Sequence, residues 1–142
     1  MKESDWNDCI ESSSSIKITP DKQKAKSLVK VAEGRIKYLY GQKINSENSN
    51  YIFEGLYTSI NEFVHAIAFL EGYKVNNHVC LGFFIRDFLK KEELFRLFDD
   101  CRYRRNSLVY YGNDVDFQTA KQSIDRAKRL IKELKEIVEK PY

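Results

Sequence analysis

Glycine and proline are scarce in this chain, six and two in 142 residues, below the usage of ordinary globular proteins. So few breakers argue against an all-β or turn-rich fold, whose tight turns need them. Cysteine is sparse too. Cys9, Cys80 and Cys101 are odd in number and far apart, with no C-x-x-C, which on spacing excludes a disulfide framework and a zinc site. No apolar run approaches the roughly 18 residues of a membrane span. The opening MKESDWNDC lacks the apolar stretch of a secretory leader. Nor is there a glycine-rich phosphate loop or a G-x-S-x-G nucleophile elbow. The expectation that follows is a cytoplasmic, reducing setting, with no membrane, metal or cofactor.

What is present is charge, nearly balanced. Lysine and arginine number 24 against 21 acidic residues, a net +3. The first fifteen residues hold Lys2 against Glu3, Asp5, Asp8 and Glu11, so the positive excess lies in the rest of the chain. A mild excess permits contact with nucleic acid without demanding it. The length suits one domain. Residues 1–15 end in a serine tract and read as a flexible N-terminal segment. Within it, Trp6 and Ile10 are spaced to form one helical turn that could dock. Residues 16–142 form the domain.

Helical periods fill that domain. Thr19 is a cap, Pro20 a first helical residue, and Asp21 suits the positive helix end. Ala25, Leu28, Ala32, Ile36 and Leu39 follow at helical spacing, and Gly41 is a stop. Residues 42–50 read as a loop. The second helix is the most apolar: Ile52, Leu56, Ile60, Phe63, Ile67 and Leu70 make one stripe, and Phe53, Tyr57, Val64 and Ala68 a second beside it. Two adjacent stripes predict a wide buried face and a central position. Gly72 ends it. A third helix spans about 77–89, a fourth about 91–111, and a fifth starts at the cap Asp116. The fifth carries Phe117, Ala120, Ile124, Ala127, Ile131, Leu134 and Val138 as a heptad-like seam. The predicted fold is all-α, an antiparallel bundle of about five helices with strand content near zero.

The fourth helix breaks its own pattern. Its stripe runs Leu94, Phe98, Cys101, then Arg105, then Leu108. A guanidinium at a core-stripe position must be paired or must face a polar groove. It either meets an acidic residue such as Glu54 or Glu62, or lines a groove for an anion such as RNA phosphate. Arg102 and Arg104 complete a cluster around Tyr103.

The stretch Arg104-Arg105-Asn106-Ser107-Leu108-Val109-Tyr110-Tyr111-Gly112 resembles the signature of the HEPN superfamily, the higher-eukaryote and prokaryote nucleotide-binding domain. That signature is an Arg, often followed by Asn, then four to six residues and a His, late in the fourth helix. The segment Ala66-Ile67-Ala68-Phe69-Leu70-Glu71-Gly72-Tyr73-Lys74, followed by His78, looks like the family's second-to-third helix junction. The likeness covers about residues 19–140. It implies a helical homodimer whose Arg and His line a groove at the dimer axis. Many bacterial and archaeal members are metal-independent endoribonucleases, commonly toxins paired with antitoxins. Others partner small nucleotidyltransferases or are non-catalytic binding domains.

Carried over, Arg105 and Asn106 take the motif's first two positions, and the His falls on Tyr110. A phenol with an ordinary pKa near 10 is only about 0.1% ionised at pH 7, a poor substitute for imidazole as a base. Ribonuclease activity is therefore expected to be weak or lost, with binding of RNA or a nucleotide, or partnership with a nucleotidyltransferase, as the remaining role. Arg102, Arg104, Arg105 and Tyr111 are the candidate binding residues, and Arg105, Asn106 and Tyr110 the motif positions. An active toxin ribonuclease and a structural dimerisation module are the alternatives. Arg105 and Tyr110 lie about 140° apart around one helix, which suits a groove shared with a second copy. His65 and His78 read as structural. Lys121, Arg126, Lys128, Arg129, Lys132 and Lys135 read as a solvated face diluted by Asp125, Glu133 and Glu136.

Overall fold

The computed structural model describes residues 2–110 and 116–140. Its elements run α1 (Trp6–Glu11), β1 (Ser15–Lys17), α2 (Lys22–Tyr40), α3 (Ser49–Glu71), β2 (Tyr73–Val75), α4 (His78–Phe83), α5 (Glu92–Tyr110) and α6 (Phe117–Glu139). The described chain is thus mainly helical, and the five predicted helices correspond to α2–α6.

The central position expected of the second helix is observed. In α3, Ile52, Leu56, Ile60, Phe63 and Ile67 are buried together with Phe53, Tyr57, Val64 and Ala68. This wide face is packed chiefly against α2 and α6, which is what two adjacent apolar stripes require. The seam of α6 is buried from Ala120 to Leu134, with Phe117 and Val138 half-buried at its ends. Asp116 caps α6 as expected, accepting from the Thr119 amide at 2.8 Å.

The start of α2 differs from expectation. Asp21, not Thr19, is the cap, accepting from the Lys24 amide at 2.9 Å. The preceding residues are pulled across the end of α3 instead: the Ile18 amide donates to the Gly72 carbonyl at 2.8 Å, and the Asp21 amide to that of Phe69 at 3.0 Å. Gly72 ends α3 at φ 86°, and a Cβ there would lie 2.9 Å from the Ile18 carbonyl oxygen. Gly72→Ala is therefore expected to cost about 2 kcal/mol, from the left-handed backbone and from displacing the chain that crosses at Ile18. Thermal denaturation should show Tm falling by several degrees. An unchanged Tm would mean that the crossing moves aside freely.

Gly72 turns the chain into β2, which pairs antiparallel with β1, Ile16 opposite Lys74. Three-residue strands are too short to show a period-2 signal, so the sequence does not reveal them. The third predicted helix is also modified. After six residues of α4, the winding widens into a π turn over Phe84–Phe88.

The described part of the segment expected to be flexible, residues 2–15, is folded onto the body through α1 and the start of β1. Trp6 is only 7% exposed and packs edge-on against Tyr73 and Phe84, each at 5.3 Å between ring centres. Its amide donates to Asp87 Oδ2 at 2.8 Å. Ile10 is left 37% exposed. Cys9 and Cys80 are joined by a disulfide across 71 positions, their Cα atoms 6.0 Å apart. This corrects the expectation of unpaired cysteines. Pairing depends on α1 and α4 meeting in space, which linear spacing does not report. Cys101 stays free and buried, and burial pushes its thiol up to about 12. Among the described residues no helix is long and apolar enough to cross a membrane.

Candidate anion-binding site

The stripe of α5 opens where the sequence says it should. Leu94, Phe98 and Cys101 are buried, whereas Arg105 and Leu108 are half-buried. Helical geometry then splits the arginine cluster, because Arg102 and Arg105 are three apart while Arg104 lies about 100° from Arg105.

Arg105 and Arg102 belong to the side of α5 that meets α3 and α4. The Arg105 guanidinium carbon stands 5.8 Å from the centre of the Tyr57 ring, within cation–π range. Its Nε lies 4.0 Å from Glu54 Oε1. That is a long contact to a carboxylate 45% exposed, worth little by itself. Glu62, the other expected partner, is engaged by Arg35. Arg102 donates through Nε and Nη2 to Asp99 Oδ1 at 3.1 and 3.0 Å. Both arginine side chains keep part of their surface in solvent, 26% for Arg102 and 22% for Arg105.

Tyr57 links these arginines to His78. Its hydroxyl lies 3.2 Å from His78 Nδ1, and the Asn61 carboxamide 3.4 Å from His78 Nε2. Burial pushes the Tyr57 phenol up to about 12, against smaller opposing effects of Asn61, Arg102 and Arg105, so it keeps its proton and donates. The His78 ring then accepts at Nδ1 and carries its proton on Nε2. Asn61 Oδ1 is buried without a partner among the described residues; turning the amide about its last bond would seat it on that N–H. Burial, and next the charges of Arg105 and Arg102, hold His78 below the usual imidazole range. It is a neutral ring at pH 7 beside two cations. His78 is placed by its own helix start, where Asn77 Oδ1 accepts from the Cys80 amide at 2.8 Å.

Arg104 faces the other way, toward α6. Its Nε donates to Asp100 Oδ2 at 2.9 Å and its Nη1 to Ser123 Oγ at 2.8 Å. Arg126 donates to the same Asp100 oxygen at 3.0 Å. Beside them lies a cavity of about 280 Å³ between α3, α5 and α6.

The structure thus brings Arg102 and Arg105 together and separates Arg104 from them. Asn106 is half-buried on α5. Tyr110 lies in α5, its side chain outside the described residues, as is all of Tyr111. Tyr57, Asn61 and His78 are members of this site that the sequence reading missed. Tyr57 looked like one more core aromatic, and His78 like a structural residue. Only the Gly-Tyr-Lys…His junction hinted that His78 had a set place. The solvated reading of the α6 cations holds for most of them, since Lys121, Lys128, Arg129 and Lys132 are exposed, but Arg126 reaches back to α5. Compared with models of protein families, with curated proteins and with solved structures, the chain matches none.

Proposed function

We propose that this chain is a HEPN-like helical domain that binds RNA or a nucleotide through the face carrying Arg102, Arg105 and His78. The observation that carries this reading is the grouping of two partly exposed arginine side chains and a neutral imidazole around Tyr57. Such a group offers charge-assisted hydrogen bonds to a phosphate with no metal required by its chemistry. Homodimerisation and partnership with a nucleotidyltransferase or antitoxin belong to the same proposal, as does a cytoplasmic location. The last requires the Cys9–Cys80 disulfide to survive a reducing compartment.

The test is anisotropy of a labelled single-stranded RNA across a salt series. Arg102→Ala and Arg105→Ala together should weaken binding at least tenfold and lower the salt slope by about 0.7 for each phosphate no longer neutralised. The pKa of His78, followed by NMR, should rise when RNA binds, because an anion stabilises the imidazolium. Equal affinity and slope in the double variant would sink the reading.

A second reading, metal-independent cleavage, is favoured by one observation: a neutral imidazole, able to take the Tyr57 proton through Nδ1, lies beside Arg105 although the motif position holds Tyr110. Cleavage in chelator, abolished by His78→Ala and preserved in Tyr110→Phe, would establish it.

A further inference from the structure

We infer that the cavity between α3, α5 and α6 takes the base of an adenine nucleotide, free or as an unstacked residue of RNA, with its phosphate beside Arg104, which lines it. The inference rests on the reading that this chain binds RNA or a nucleotide, and it supplies a base site that the Arg102–Arg105 face does not have.

The cavity, at about 280 Å³, is near the lower end of small-molecule sites. It has room for one ring system, not for a whole nucleotide. Phe53 and Ala120 are buried apolar walls, and Leu108 adds a third, so a flat apolar face is favoured over water. Asn50 lines the same cavity, and its Oδ1 is buried with no hydrogen-bond partner among the described residues. A buried acceptor without a donor is costly. A carboxamide presents a donor beside an acceptor, and the adenine N6/N7 edge presents the matching pair. Tyr103 lines the cavity too and is 72% exposed, an aromatic ring on which a base can stack.

Charge beside the cavity fits the other half of the ligand. Asp100 Oδ2 accepts from both Arg104 and Arg126. Two cations on one carboxylate leave an excess of one positive charge, and the hydrogen bonds to Asp100 and Ser123 hold the Arg104 guanidinium in a fixed plane. An anion arriving there meets a charged donor already oriented.

Calorimetric titration with AMP, with IMP and with inorganic phosphate tests this, alongside competition by AMP against a labelled adenine-rich RNA. IMP replaces the exocyclic amine with an oxygen and leaves Asn50 Oδ1 unmatched. AMP should bind about tenfold more tightly than IMP, and phosphate alone more weakly than either. Tyr103→Ala, at an exposed position where the fold is safe, should weaken AMP about tenfold by removing the stacking surface. Asn50→Leu should remove the preference for AMP over IMP. Displacement of the RNA by AMP would assign the cavity to an RNA base, and AMP binding without displacement would assign it to the free nucleotide; both support the base site. Equal binding of AMP and IMP by the unaltered protein would overturn it. So would AMP binding that survives Tyr103→Ala and Asn50→Leu but is abolished in Arg102→Ala with Arg105→Ala, an outcome that leaves the Arg102–Arg105 proposal standing. Loss of RNA binding in that double variant, with AMP binding intact, separates the two sites in the opposite direction.

Discussion

Opening the Cys9–Cys80 disulfide is expected to lower the unfolding free energy by about 4 kcal/mol. The bond closes a loop of 71 positions, and in the chain-entropy account a loop of that size restricts the unfolded ensemble by about that amount. The loss should begin locally. Ordering the six residues of α1 costs about 1–2 kcal/mol each, and burying Trp6 returns roughly 3 kcal/mol. Without the covalent tether, α1 should leave the body before the rest unfolds. Trp6 is the one tryptophan of the chain, so its emission reports α1 alone. Reduction, or Cys9→Ser, should shift that emission to the red under conditions where far-ultraviolet dichroism is still native. Urea denaturation of the reduced and oxidised forms measures the rest. An unmoved emission with a free-energy change below about 1 kcal/mol would show that α1 is held by packing alone.

Acid should weaken the fold well above the range in which carboxylates protonate. Burial, and next the neighbouring His78, depress the His65 imidazole to about 4. The unfolded chain, with an ordinary imidazole near 6.5, binds the proton more readily than the folded one. Stability from this group is therefore complete above pH 6.5 and lost as pH falls toward 4, by up to about 3 kcal/mol. His78 is shifted in the same direction and adds to the loss. Asp87 acts in a different window. Its hydrogen bond to Arg86 lowers its pKa, so its contribution disappears only below the ordinary carboxylate range. Denaturation midpoints between pH 7.5 and 4.5 should fall for the native chain and fall less for His65→Gln. Parallel curves would refute the assignment to His65.

The long elements were legible because burial leaves a period in the sequence. Two apolar stripes in residues 52–70 identified α3 as central, and the seam from Phe117 to Val138 identified α6. The interruption at Arg105 also carried information: the side chain lies where the buried face of α5 opens. Contacts between distant segments left no such trace. Cys9 meets Cys80, Trp6 enters an aromatic cluster around α4, and β1 finds β2, each through close approach in space rather than local pattern. Asp21 displaced Thr19 as a cap because residues 18–21 answer to the end of α3. The site was half legible for the same reason. Arg102 and Arg105 follow from the α5 period. Tyr57 and His78 join them where α3 meets α4, and Arg104 leaves them for α6.

The Cys9–Cys80 bond also changes how the molecule would behave under load. Force applied at the two ends of the chain enters at α1 and crosses the sulfur bridge directly into α4. Everything between, including the whole of α2 and α3, lies off that line. The 71 positions so bypassed would hide roughly 240 Å of contour length at about 3.4 Å per residue. A single cut in the segment between α2 and α3 would leave two polypeptides that still travel as one until a reductant parts them.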